Sequence, residues 1–110
     1  MPATVVRACS NDEVLKAVKR YRVSAVLFDH DTHTGHWQAL LRDFAGIDRA
    51  PALIICSRRA DERLWAEVLN LGGFDVLITP LQRDEVTRVV CAAVRETQRR
   101  VRAAAASGRL

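Results

Sequence analysis

The sequence predicts an α/β fold: an open parallel sheet of four strands with helices on its faces. Two observations predict it. Short runs of β-branched and aliphatic residues recur along the chain, and each is followed by apolar residues spaced for one face of a helix. The runs at 24–29 and 52–57 are apolar without alternation, as in strands of a parallel sheet covered on both faces. Regular β-α alternation with short connections places such strands in one sheet. A chain of 110 residues with 49% apolar content can bury one modest core, so residues 1–106 are expected to form a single domain and 107–110 a frayed tail.

The elements follow in order. Residues 4–9, TVVRAC, read as the first strand. Ser10 and Glu13 have capping-box spacing, so a helix starts there and carries Val14, Leu15, Val18 and Tyr21 on its inner face. Residues 24–29 form the second strand, apolar on both faces. Residues 37–44, WQALLRDF, form a short amphipathic helix ended near Gly46. Pro51 precedes the third strand, 52–57 (ALIICS). Residues 60–71 form a helix with Leu64, Trp65, Val68, Leu69 and Leu71 as its apolar positions, stopped by Gly72 and Gly73. Residues 74–78 form the fourth strand, closed by Thr79 and Pro80. The last helix runs from Leu81 to about Ala106, with Val86, Val89, Val90, Ala93 and Val94 facing inward. Core packing is the expected role of Trp37; Trp65, beside Arg63 and Glu67, fits either the core or an exposed association patch.

Charge and cysteine usage narrow the function classes. The net charge is +4, with the excess concentrated in Arg95, Arg99, Arg100, Arg102 and Arg109. A solvated helix end, where cations suit the macrodipole, is the expected role of that cluster ahead of nucleic-acid contact. Cys9, Cys56 and Cys91 show no paired spacing and read as buried free thiols in a reducing compartment. No charged-then-apolar leader and no membrane-spanning apolar run is visible, so a cytoplasmic protein without membrane contact is expected. There is no Gly-x-Ser-x-Gly elbow and no Gly-rich phosphate loop, so the sequence does not read as an enzyme.

In an open parallel sheet, ligand chemistry gathers at the carboxyl ends of the strands. Asp29, Ser57 and Thr79 stand there, a carboxylate and two hydroxyls from successive strands, and they are expected to converge. His30, Asp31, His33 and His36 crowd the same turn. They lack a cysteine and a helical His-x-x-x-His pair, so a polar loop is expected in place of a zinc site.

From about Thr4 to Val94 the chain resembles the CheY-like receiver domain of bacterial two-component response regulators. Four stretches carry the resemblance. AVLFDHDTHTGHWQALL looks like the acceptor strand and its loop, with Asp29 in the phospho-acceptor position and Gly35 closing the loop. PALIICSRRADE resembles the fourth receiver strand, with Ser57 where the family has Ser or Thr. NLGGFDVLITPLQRDEV resembles the fifth strand and the start of the last helix, and VVRACSNDEVLKAVKRYRVSAVLFD the second strand, second helix and third strand. The resemblance implies a flavodoxin-like sheet lacking the first receiver strand and helix. Strand 4–9 is expected to slide beside 24–29 and close the gap; pairing with a second copy, or a chain start further upstream, are the other remedies.

The departures bear on function. The family's paired acids, which hold magnesium, belong to the absent strand, and Asp12 and Glu13 fall within a helix start. The family's Lys before the Pro is here Thr79, its switch aromatic is Val76, and the Pro common in the acceptor loop is His33. Phosphorylating a carboxylate brings a polyanion to an anion, and a metal and a cation normally neutralise that charge. Asp29 and Asp31 alone make a poor magnesium site. Each missing stabiliser costs about 3–4 kcal/mol of barrier. The sequence therefore predicts a degenerate receiver with Ser57 and Thr79 as phosphate-site remnants and no resident cofactor. It would act by docking to proteins such as a histidine kinase or an output protein, with association into a homodimer. The alternatives are a functional regulator phosphorylated on Asp29, and a small nucleic-acid-associated protein using the Arg-rich last helix.

Overall fold

The computed structural model describes residues 5–33 and 35–106. The elements are α1 (Asn11–Arg20), β1 (Ala25–Asp29), α2 (Trp37–Phe44), β2 (Ala52–Ser57), α3 (Glu62–Asn70), β3 (Asp75–Ile78) and α4 (Arg83–Ala106). The strands form one parallel sheet in the order β1-β2-β3. Ala25 pairs with Ala52 and Ile54 with Asp75, so β2 lies in the middle and is buried along its whole length. No described helix is long and apolar enough to cross a membrane.

Among the described residues three strands form, where the sequence predicted four. Residue 4 lies outside the described residues, and Val5–Ala8 has no regular structure and joins no strand of the sheet. Val5 is 83% exposed, while Ala8 touches the core. β-Branched residues favour a strand through packing on a sheet, and this segment has no neighbouring ladder among the described residues. Cys9, expected to be buried, is exposed with the segment that carries it; Cys56 is buried and Cys91 partly so.

Alternation along β2 divides the core. Leu53 and Ile55 face a cluster with Val14 of α1, Phe28 of β1, Trp37, Leu40 and Phe44 of α2, and Val68 of α3. Ala52, Ile54 and Cys56 face Leu77 and the Val89–Ala93 stripe of α4. Strand residues two apart share a face, so the two clusters lie on opposite sides of the sheet. Among the described residues three helices cover one side and α4 alone covers the other.

Helix limits follow local chemistry. Ser10 caps α1, its hydroxyl accepting from Glu13 N at 3.2 Å, and Glu13 reaches back to accept from Cys9 N at 3.0 Å. Both halves of the expected capping box form, with the carboxylate one residue further back than usual. Asp61 caps α3 by accepting from Leu64 N at 2.9 Å, which starts that helix at Glu62 and not at residue 60. Gly72, at φ 100°, turns the chain out of α3 in a conformation that disfavours side chains. Leu15 and Val18 pack inward as predicted, but Tyr21 falls beyond the helix and is half exposed. Trp37 is buried, whereas Trp65 is 50% exposed on α3. β1 is not apolar-covered on both faces: Leu27 is 40% exposed on the side that α4 only partly covers.

Candidate functional site

The parallel strands bring Asp29, Ser57 and Thr79 to one end of the sheet, but their side chains take different partners. Asp29 stands opposite Cys56 in the β1–β2 register. Ser57 is the next residue along β2, so its side chain leaves the opposite face. The Asp29 carboxylate folds onto its own turn. Oδ1 accepts from Asp31 N at 3.1 Å and Oδ2 from the Thr32 hydroxyl at 2.8 Å, while the Asp29 carbonyl accepts from His33 N at 2.9 Å. This is the behaviour of an Asx turn, in which a short carboxylate satisfies the backbone two residues on.

Asp31 makes the link between strands. Its Oδ1 accepts from the Ser57 hydroxyl at 3.1 Å and its Oδ2 from Arg58 N at 2.9 Å, with Arg58 Nε 3.5 Å from Oδ2. Ser57 Oγ in turn accepts from Arg59 N at 3.1 Å. The Arg58 backbone N–H is the main cause that holds the Asp31 carboxyl below the ordinary carboxylate range, with the Ser57 hydroxyl and the Arg58 guanidinium adding to it against some desolvation. Ser57 is fully buried yet satisfied, which fixes the start of the β2–α3 loop. Thr79 donates its backbone N–H to the Ser57 carbonyl at 3.0 Å, and its hydroxyl meets neither Asp29 nor Ser57.

The histidines separate. His33 stacks on Phe28 with ring centroids 4.3 Å apart, and its Nε2 lies 2.9 Å from Asn11 Oδ1. Asn11 Nδ2 donates to the His36 carbonyl at 3.0 Å, so Asn11 Oδ1 is the acceptor and His33 Nε2 carries the proton. Gly35, at φ 123°, passes so close to Asn11 that a Cβ there would lie 2.6 Å from its side-chain oxygen. Asn11 thus clamps α1 to the β1–α2 loop. His36 is the N-cap position of α2, and His30 lines an open pocket of about 840 Å³ with Asp31, Ser57, Arg58, Arg59 and Arg63.

A magnesium ion would need near-octahedral oxygen ligands anchored by carboxylates. Each oxygen of Asp29 and of Asp31 already accepts a hydrogen bond that holds it to its own turn or to the β2–α3 loop, and Glu13 Oε2 accepts from Cys9 N. Among the described residues no three of His, Cys, Asp and Glu are arranged to hold a metal ion. The donor set does not fit a built divalent site. Sequence reading placed Asp29, Ser57 and Thr79 at the sheet end but missed the Asp31–Arg58 strap and the Asn11 clamp. Asp31 stood in the sequence as one acid of a crowded turn and a weak magnesium candidate beside Asp29, and Asn11 only as the residue after a cap.

No protein-family model and no curated protein sequence matches the chain. Solved structures do. The chain is similar to the signal receiver domain of a putative LuxO repressor protein from Vibrio parahaemolyticus, with TM-score 0.71 and 14% identity over 83% of this chain and 70% of that one. It is similar to NtrX from Brucella abortus, with TM-score 0.73 and 16% identity over 94% of this chain and 24% of that one. A CheY-like response regulator receiver domain protein from Methanospirillum hungatei gives TM-score 0.66 and 15% identity, over 83% and 73%. At these identities the likeness is one of fold, and the fold is that of receiver domains.

Proposed function

With the receiver-domain fold as premise, we propose that this chain is a degenerate receiver, one unit over residues 1–106, that serves two-component signalling through protein contacts. Asp29 occupies the acceptor position and Ser57 and Thr79 the phosphate-site positions, in a cytoplasmic module that performs no catalysis of its own. Its partners are proteins of the relay, a histidine kinase or an output protein. The observation that carries this reading is the occupation of both carboxylates: Asp29 satisfies its own turn, and Asp31 straps β1 to the β2–α3 loop. Phosphotransfer to Asp29 would have to break that turn with Thr79 in place of a cation to receive the charge. A lost electrostatic stabiliser lowers such a rate by roughly a hundred- to a thousandfold.

The test is incubation of the whole chain with a small acyl phosphate and magnesium, followed by intact mass measurement of the native chain and of Asp29→Asn. The expected result is no gain of phosphate in either within the time that phosphorylates a complete receiver run in parallel. A full gain of one phosphate in the native chain alone would replace this reading with that of a working acceptor.

A further inference from the structure

The sheet has two edges, and the edge at β1 is unusually well suited to pairing. His30 N donates to the Cys56 carbonyl at 2.8 Å, and the Ser24 carbonyl accepts from Ala52 N at 3.0 Å. Backbone groups alternate along a strand, so residues 24, 26, 28 and 30 address β2, while the N–H and C=O of Ala25, Leu27 and Asp29 point away from it. No described strand lies on that side. The edge sequence AVLFD has no proline, lysine or bulge, the devices that usually blunt an edge. β3, the other edge, begins on Asp75 and is followed at once by Thr79–Pro80. Leu27, at the centre of β1, is 40% exposed although its neighbours Val26 and Phe28 pack into the core.

We infer that the outer edge of β1 pairs with the same edge of a second copy of this chain, antiparallel about Leu27, joining two three-stranded sheets into one. The geometry is self-complementary. A twofold axis at Leu27 sets Leu27 against its own symmetry mate and Ala25 against Asp29, and all three outward residues then fall at hydrogen-bonded pair positions. About six backbone hydrogen bonds become available, of which two would share the Asp29 carbonyl with His33 N. The two Leu27 side chains meet on the α4 side of the sheet, where each is now open to water. Charge also favours antiparallel approach. Arg20 and Arg22 precede the strand and Asp29 ends it, so the basic start of each strand meets the Asp29 end of the other, Asp31 being already paired with Arg58. The inference rests on the fold and the free edge alone, and it stands or falls separately from the docking role.

Sedimentation equilibrium of the full chain between ~1 μM and ~0.5 mM should show a reversible monomer–dimer equilibrium. Leu27→Lys should weaken it about tenfold or more, and Arg22→Glu about threefold at low salt, whereas Trp65→Arg on α3 should leave it unchanged. Hydrogen exchange followed by NMR on the native chain keeps the test independent of how the variants fold. The Leu27 amide should gain protection as concentration rises, while the Val26 and Phe28 amides, which address β2, stay protected throughout. Three results would each overturn the inference: a monomer at every concentration, a dimer lost with Trp65→Arg and retained with Leu27→Lys, or a monomer whose Leu27 amide is protected at every dilution. The last would mean that the chain closes the edge itself.

Discussion

The two sides of the sheet are built to different standards. On one, α1, α2 and α3 press Val14, Trp37, Leu40, Phe44 and Val68 onto Phe28, Leu53 and Ile55. On the other, α4 alone lays Val89 and Ala93 over Ala52, Ile54, Cys56 and Leu77. The first side carries the large rings, and the second carries smaller groups and leaves Leu27 half open. Packing energy follows the contacts a buried side chain makes, so stability should concentrate on the three-helix side and adaptable surface on the α4 side. The β1–α2 loop is anchored to the stable side through Asn11 and His33, whereas the proposed pairing edge belongs to the looser one.

Truncations should separate the sides. Trp37→Ala removes a ring that is 1% exposed and should cost about 3–5 kcal/mol, enough to unfold much of the population of a small domain. Val89→Ala on α4, also 1% exposed, should cost about 2 kcal/mol. Urea midpoints at constant slope measure both. Equal losses would mean that the α4 side yields more stability per atom removed than the ring side, against the expected contrast. Burial also pushes the Cys56 thiol up to about 11, with the nearby Asp29 charge adding to the shift, so at pH 8 an alkylating reagent should label Cys9 first and Cys56 last. Early labelling of Cys56 would show that the α4 side opens readily.

Thr97→Val is the next smaller test. Thr97 is buried on α4, and its hydroxyl lies 3.0 Å from both the Ser24 and Ala93 carbonyls. It ties α4 to the start of β1, on the side where packing is thin. Replacement by the nearly isosteric valine should cost about 1 kcal/mol and leave Ser24 O still paired with Ala52 N. The cost should exceed that of Val101→Ala, half-buried one turn further along, if the tie matters more than apolar cover at that end of the helix.

Much of the fold was legible because apolar runs and caps are local signals. Ala52–Ser57 read as a buried strand from its six residues, and Trp37–Phe44 as a helix from its apolar spacing. Residues 4–9 misled because strand propensity is a statement about packing on a neighbour, and the neighbour is a non-local fact. Tyr21 misled because its place in the helical period lay one residue past the helix end. At the sheet end, strand position could be read for Asp29, Ser57 and Thr79, since parallel strands must finish together. What each oxygen bonds could not. Asp31 pairs with Ser57 and Arg58 across 26 and 27 residues, and no spacing in the turn distinguishes it from Asp29.

That strap gives the smallest effect and the finest test of how the loop end differs from the core. The Asp31 carboxyl is held below its ordinary range chiefly by the Arg58 backbone N–H. In the unfolded chain the same group protonates at the ordinary carboxylate value, so the strap favours the folded state above that pH and is lost as pH falls through the lower, folded value. Asp31 is solvent-exposed, so the consequence should be local loosening of the β2–α3 loop before any global unfolding. An NMR titration downward from neutral pH should show the Arg58 and Arg59 amides moving together, with a midpoint below the ordinary aspartate value. Asp31→Asn should abolish that shared transition while leaving the core amides of β2 in place. If the Arg58 amide instead reports an Asp31 midpoint at the ordinary carboxylate value, the strap is not formed in solution, and Asp31 becomes free to serve a ligand at the sheet end.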